Sequence, residues 1–396
     1  MKINKTLVGG SLILLIAFNI YNLLNFVFQF SMARFLSVEN YGILATLFAM
    51  VYIFDVFKES IQTVITKYSS KEKNLGKLRD IFNRSTNKAL LISSIVFISY
   101  LMVSLLLSPL LKIDYSLLAL NGLLIFTSSL IPISRGIMLG RKMFRSLGLN
   151  MIIESTIKLI LAIFLVLIGW AVYGAIAATF IGALFAFLFS LPALRNITKA
   201  KRARAKTLGI YSYSIPVFFI TAVIIIFYSL DVIIAKIVFS SQVAGYYALA
   251  SILGKTIFWG TQPISRAMFP LSAENKSKKN LFSSAFAMLL SLIIVALLLF
   301  NFFPDMILSV FSGKEQLSQA SSILFLVGLA FSIQSIANLI LLYKLSLGKV
   351  KRYLYFILFI LIEVILLLVF SSSLSIFSLA YIAASLILLI GSIILK

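Results

Sequence analysis

Neither cysteine nor histidine occurs in the 396 residues of the chain. Their absence excludes disulfides, thiol nucleophiles, Ser-His triads and His- or Cys-ligated metals, so few enzyme classes survive. Charge is scarce as well: 12% of the residues carry one, against about 25% in an average soluble domain. Acidic residues are scarcest, 12 against 35 Lys and Arg. What fills the chain instead is apolar: 61% hydrophobic residues and a mean hydropathy of +1.08. Such a surplus cannot be hidden inside a water-soluble fold, so its solvent must be lipid.

A basic excess suggests either nucleic acid or an anionic surface, and position decides between them. A nucleic-acid binder gathers its cations on a soluble face. Here they sit in short loops between apolar runs, which is membrane topology, and no nucleic-acid partner is expected.

A span needs about 20 mainly apolar residues. Twelve such runs are expected: 7–33, 41–66, 89–111, 117–139, 149–168, 172–194, 208–235, 245–270, 281–302, 318–343, 353–370 and 376–395. The first is too long for the core of a cleaved signal peptide and is read as a retained helix. With the N-terminus inside, the inner segments hold 26 Lys and Arg and the outer segments four: Arg34, Lys112, Lys236 and Lys314. Both termini are therefore expected to be cytoplasmic. Outer loops are too short for an extracytoplasmic domain, and "RNITKAKRARAK" (195–206) divides the spans six and six.

Two breaks between apolar runs share a pattern, "MARFLSVENYG" (32–42) and "IAKIVFSSQVAGYY" (234–247). Aligning Gly42 with Gly245 sets "IQTVITKYSSKEKN" (61–74) over "ISRAMFPLSAENKS" (264–277) without a gap; later "MLGRKMFRS" (138–146) resembles "SLGKVKRYL" (346–354), and Glu154 falls near Glu363. The expected organisation is an all-α polytopic membrane protein of two parallel six-helix halves. These are an N-terminal lobe of 1–194, a basic cytoplasmic linker of 195–207 and a C-terminal lobe of 208–396.

Five basic residues (Lys58, Arg135, Lys158, Lys255, Arg266) and five acidic ones (Asp55, Glu59, Glu154, Asp231, Glu363) fall inside the expected spans. Each charge near the bilayer centre costs about 2.5–3.5 kcal/mol on insertion scales, so pairing, snorkelling or water must relieve most of them. At about 100° per residue, Ser11, Asn19, Asn22, Asn25 and Gln29 form one stripe on the first helix. Tyr52, Asp55, Glu59, Gln62 and Thr66 form another on the second, with Lys58 at its edge. The seventh helix aligns Ser214, Thr221, Tyr228 and Asp231; the eighth aligns Ser251, Lys255, Trp259, Gln262 and Arg266. Four stripes in repeat-related positions imply a shared polar cavity.

Bland readings stand beside these. Glu154 and Lys158, four apart in the favourable order, are expected to pair. Arg135 and Arg266, near inner helix ends, either snorkel to headgroups or serve transport. The first-helix Asn residues either line the cavity or join helices. Lys255 has no acid three or four positions away, which leaves Asp231 and Glu59 as partners from neighbouring helices.

The stretch "ARFLSVENYGILATLFAMVYIF" (33–54) resembles the signature after the first helix of polysaccharide and O-antigen-type flippases. So do "RGIMLGRKMFRS" (135–146) and "VAGYYALASIL" (243–253), together about a tenth of the chain. The outer turn reads Leu36-Ser37 where relatives often have Leu-Gly. The resemblance places the chain among the multidrug/oligosaccharidyl-lipid/polysaccharide exporters. It implies a V-shaped, alternating-access fold that moves polyprenyl-pyrophosphate-linked oligosaccharides to the outer leaflet of a bacterial or archaeal cytoplasmic membrane.

That substrate suits the residues. Arg34, Lys58, Lys255 and Arg266 are candidates for the pyrophosphate, since a desolvated cation holds concentrated negative charge well. Tyr52, Tyr228 and Trp259 are candidates for stacking on sugars, and Asn22, Asn25, Gln29 and Gln262 for their hydroxyls. Asp55, Glu59 and Asp231 hold the charges in register or couple transport to H⁺ or Na⁺. No catalytic residue, metal or cofactor is expected, and the protein is expected to act as a monomer among membrane lipids. The alternative is a cation-coupled antiporter of organic cations from the same superfamily. An enzyme or a major-facilitator carrier fits less well: the outer loops offer no paired acids, and the loop after the second helix lacks the Gly-x-x-x-Asp-Arg-x-Gly-Arg pattern.

Overall fold

A computed structural model describes residues 5–205, 211–274, 278–314, 317–347 and 355–394, and among them every regular element is a helix. Lipid offers no partner to a peptide N–H or C=O, so a chain crossing it must satisfy its backbone within each segment, and the helix does so. Among the described residues, nine segments are long and apolar enough to cross a membrane. The centre of each expected span is helical. Residues 208–210, 353–354 and 395 lie outside the described residues, as do 275–277 and 348–354 of the repeat stretches and the side chains of Ser11 and Ser214.

The helices group into two compact units, residues 1–36 with 54–214 and residues 37–53 with 215–396. The first unit contains α1 (Lys5–Phe35), most of the second half of α2 (Val38–Lys71), α3 (Leu75–Leu111), α4 (Tyr115–Gly122), α5 (Leu124–Gly140), α6 (Phe144–Leu165), α7 (Ala171–Ala193) and the short α8 (Arg195–Thr198). A fourth expected span is thus broken at Leu123 into α4 and α5. Helices α6 and α7 pack on each other across a reversal at 166–171, where Gly169 takes a φ of +96°. Asn74 separates α2 from α3 as an N-cap, its side chain accepting from the N–H groups of Gly76 and Lys77.

An apolar cluster closes one end of this unit. Ile65 of α2, Leu78, Ile81 and Phe82 of α3, Ile133 and Ile137 of α5 and Met151 of α6 pack with Leu194, Ile197 and Ala205. The segment expected as a basic linker is therefore folded into the first unit through Ile197 and Ala205, with its cations on the outside.

The second unit contains the first part of α2 with α9 (Tyr211–Val238), α10 (Ser241–Glu274), α11 (Lys278–Phe302), α12 (Pro304–Ser312), α13 (Ser318–Ser346), α14 (Phe356–Val369) and α15 (Leu374–Ile394). Helix α13 is its axis, packed on α10, α11 and α15 and buried along most of its length. Large apolar side chains on the outer faces of both units, such as Leu106 on α3 and Met288 on α11, are exposed, as lipid-facing side chains must be.

The two sequence breaks are built alike. Ser37 precedes α2 and Ser240 precedes α10; each carbonyl accepts from the residue four on, at 2.8 and 2.9 Å, and each hydroxyl faces the N–H three on, at 3.1 and 3.4 Å. Serine supplies this cap at both turns. Five residues after each serine come Gly42 and Gly245, and these two glycines meet: a Cβ on Gly42 would lie 2.8 Å from the Gly245 Cα, and one on Gly245 would lie 2.2 Å from the Val38 carbonyl oxygen. Only hydrogen fits at that crossing.

Candidate functional site

Embedded polar groups gather in one cluster in each unit. In the first, Lys58 lies 3.8 Å from the Asp55 carboxylate one turn earlier on α2, and Ser128 of α5 donates to the same carboxylate at 3.0 Å. Arg135 of α5 forms an ion pair with Glu154 of α6 and donates through Nε to Asn150 at 2.8 Å; Asn150 in turn donates to the Ala186 carbonyl at 2.5 Å. Lys158 donates to the Asn25 side chain of α1 and stands 4.4 Å from the centre of the Phe28 ring.

Two expectations are corrected here. Glu154 does not pair with Lys158, because Arg135 from the adjacent helix takes it instead. Arg135 does not snorkel to headgroups: it is 4% exposed and locked between Asn150 and Glu154. Asn25, assigned to sugar hydroxyls, has its carbonyl engaged by Lys158 and its amide by the Tyr21 carbonyl. Asn22 and Glu59 are exposed and Gln29 half-buried on their helices. Arg34, at the end of α1, is exposed and lies 4.5 Å from the Phe30 ring centre. The buried and half-buried charges of the cluster, Lys58, Arg135 and Lys158 against Asp55 and Glu154, leave one cation in excess.

In the second unit Asp231 of α9 is fully buried and accepts three donors from α10: Ser251 at 2.5 Å, Lys255 at 3.2 Å and the Tyr247 hydroxyl at 3.4 Å. The Lys255 ammonium also lies 5.6 Å from the Phe331 ring centre on α13. Of the two partners expected for Lys255, Asp231 is the one in contact. Lys236, expected in an outer segment, is buried and donates to Ser241 at 2.7 Å, bracing the turn into α10.

Glu363 on α14 is counted among the embedded acids in the sequence and given no role there. It is fully buried, neither carboxyl oxygen has a hydrogen-bond partner among the described residues, and it lies within electrostatic range of Asp231 and Lys255. A polar group so placed is costly to keep. The signal in the sequence was its isolation: no basic residue occurs in 355–394, the described span of α14 and α15.

The three aromatic residues picked for sugar stacking come together. The ring centre of Tyr52 on α2 lies 6.1 Å from that of Tyr228 on α9 and 6.3 Å from that of Trp259 on α10. Tyr228 rests on Phe258 at 5.3 Å and Tyr52 on Phe48 at 6.3 Å. Tyr52 and Trp259 remain half-buried. One turn separates Trp259 from Lys255 on the same face of α10; farther along, Gln262 is half-buried and Arg266 exposed. The arrangement offers flat π faces and a cation side by side, which suits a ligand that joins sugar rings to an anion.

Comparison with known proteins supplies a family and a fold. A family model described as polysaccharide biosynthesis protein matches residues 7–276. An uncharacterized membrane protein of Methanocaldococcus jannaschii is 26% identical over 281 residues, covering 63% of this chain and 64% of that protein, so the match spans less than two thirds of the relative's length. Among solved structures, the lipid II flippase MurJ in its inward closed conformation superposes with a TM-score of 0.74 at 16% identity, covering 96% of this chain and 87% of that one. An inward-facing multidrug resistance MATE family transporter of the MOP superfamily gives 0.75 at 12% identity, with 94% and 93% covered. At these identities the likeness is one of fold.

Proposed function

The chain belongs to the polysaccharide biosynthesis protein family and is a multi-pass membrane protein with the fold of MOP-superfamily transporters; on that premise we propose that it flips polyprenyl-pyrophosphate-linked oligosaccharides from the cytoplasmic to the outer leaflet. One observation carries the reading: Tyr52, Tyr228 and Trp259 converge one helical turn from Lys255. The aromatic rings take sugar, the cations Lys255 and Arg266 of this unit take the pyrophosphate, and Gln262 supplies hydrogen bonds to hydroxyls, while the lipid tail stays in the bilayer. Lys58 and Arg34, with Asn22 and Gln29, are the corresponding candidates of the first unit taken by itself. Access alternates between the two leaflets, and no chemical step is catalysed.

Asp231 and Asp55, both bonded to donors, hold these cations in place; with Glu59 they are the groups through which H⁺ or Na⁺ would drive the cycle. Normal flipping by all three amide variants would remove that role.

A second reading, export of organic cations, draws support from Glu363, a buried acid of the second unit whose carboxyl oxygens accept no hydrogen bond among the described residues. The two separate in a binding assay on the purified full chain, with a polyprenyl-pyrophosphate oligosaccharide beside an organic-cation dye. Lipid-linked sugar binding that falls about tenfold or more in Trp259→Ala and in Lys255→Ala is the expected result, on the scale of one lost aromatic or charged contact. Dye binding without binding of the lipid-linked sugar overturns it.

A further inference from the structure

The basic segment after α7 is strapped along the first turns of α3. Arg79 donates to the Ala200 carbonyl at 2.8 Å, and the N–H of Ala203 donates to the Gly76 carbonyl at 3.2 Å. At Gly76 a Cβ would lie 2.1 Å from the Lys201 carbonyl oxygen, so the strap needs glycine to approach this closely. The centre of the clasp is Asp80, 2% exposed. Its carboxylate accepts from Arg202 at 2.8 Å, from the N–H of Ala205 at 3.0 Å and from Arg84 at 3.3 Å; Arg84 also reaches the Ala205 carbonyl at 3.4 Å.

Asp80, Arg84, Arg202 and Arg204 line a cavity of about 540 Å³. Three guanidinium groups against one carboxylate leave it doubly cationic. The carboxylate is the buried member, while the Arg84 and Arg202 side chains are 50% and 58% exposed. Asp80 therefore takes one edge of each guanidinium fork and turns the remaining N–H groups outward. Cations that only set topology need no such aiming.

The height of the cavity selects the ligand. Helix α3 has 37 residues, about 56 Å at 1.5 Å per residue, against a hydrocarbon core of about 30 Å, so part of it projects beyond the apolar layer. Apart from Leu75 at its first residue, its exposed large apolar side chains run from Leu90 and Leu91 onward, nearly two turns past Arg84. Arg84 therefore stands at headgroup level, where fixed guanidinium forks meet lipid phosphates. We propose that Arg84 and Arg202, fixed by Asp80, together with Arg204 beside them, form a binding site for the phosphate of an anionic lipid headgroup. This site stands apart from the transport reading and does not depend on it.

The test is native mass spectrometry of the delipidated full chain, loaded with phosphatidylglycerol or with phosphatidylcholine. Arg204→Gln is the informative variant: Arg204 lines the cavity without bonding Asp80, so the clasp stays intact. Lys199→Gln, an exposed cation of the same segment outside the cavity, is the control. Wild type and Lys199→Gln should retain phosphatidylglycerol over phosphatidylcholine, and Arg204→Gln should lower that retention about five- to tenfold, as expected for one lost charge-assisted contact. Equal retention in Arg204→Gln overturns the site. So does an equal loss in Lys199→Gln, which would mean diffuse attraction. Free inorganic phosphate supplies the same chemistry: if it raises Tm in wild type but not in Arg204→Gln, while both retain the lipid equally, the ligand is a soluble phosphate and the lipid assignment fails.

Discussion

Replacing Lys255 by Met leaves a buried carboxylate with two hydroxyl donors and no cation. Asp231 is fully buried, the Lys255 side chain is 5% exposed, and 3.2 Å separates them. Breaking such a pair from one side costs about 3–5 kcal/mol, most of it the penalty of the stranded charge. Asp231→Asn strands the ammonium instead, with the Phe331 ring at 5.6 Å as a weak substitute. The double variant Asp231→Asn/Lys255→Met strands neither and should recover about 2–4 kcal/mol relative to the sum of the singles. At about 2–4 °C per kcal/mol for a unit of this size, each single should lower Tm by about 6–20 °C in detergent, and the double by clearly less than the singles combined. Scanning fluorimetry on all four proteins closes the cycle. A coupling below about 0.5 kcal/mol would refute the pair as a structural unit. The double variant then serves the functional question: if it melts near wild type yet no longer binds the lipid-linked sugar, Lys255 contacts ligand as well as Asp231.

The crossing of Gly42 and Gly245 admits no side chain, so Gly245→Val should destabilise by at least the roughly 1–3 kcal/mol of an overpacked core, with Ser240→Ala, which touches the same turn through a 3.4 Å contact, costing far less in the same melt. Glu154→Gln should lower stability by about 3 kcal/mol by stranding the buried Arg135, whereas Lys158→Met, which leaves only the neutral Asn25 amide, should cost less; the reverse order would restore the i,i+4 pair. Asp80 is held down to about 2 by the Ala205 N–H and by Arg202 and Arg84, which outweigh its burial. A depressed carboxylate stabilises above its unfolded pKa of about 3.9 and loses that contribution as pH falls through the folded value. The Tm gap between wild type and Asp80→Asn should therefore hold from pH 8 to about pH 5 and close on further acidification; a gap that widens in acid refutes the clasp.

What the sequence disclosed follows from what a bilayer enforces. Apolar length decides where helices lie, so the helical runs were legible without any knowledge of packing. Lys255 was legible as a pairing residue because no acid stood within a turn of it, which forced a partner from another helix, and Asp231 is that partner. The Arg135–Glu154 pair was not legible, because sequence spacing ranks Lys158 first and only the packing of α5 on α6 reverses the order. That packing depends on small residues: Gly182 of α7 would place a Cβ 2.9 Å from the Glu154 carbonyl and 3.0 Å from the Lys158 N–H, so α7 presses on the α6 backbone there. The packing of the basic linker on α3 was not legible because its charges dominate it, although the apolar Ile197 and the small Ala205 amid those cations were the available signal.

Taken at their constant offset, the two copies show what a repeat keeps and what it releases. Ser37 and Ser240, and Gly42 and Gly245, serve the same backbone purpose in each copy: one caps a helix, the other lets two helices touch. Embedded charges are not kept. Asp55 corresponds to Phe258, Lys58 to Thr261, Asp231 to Phe28 and Lys255 to Tyr52. The cap and the crossing are demands of the fold and apply to both copies alike, whereas charge is expensive in lipid and persists only where something uses it. The excess cation of the Lys58–Arg135–Lys158 cluster in the first unit and the buried, unbonded Glu363 carboxyl in the second are thus divergence on a shared frame. A ligand with an anionic end and a neutral, ring-bearing end is asymmetric in the same sense, and Lys255 beside Trp259 already sets both requirements within one turn of α10.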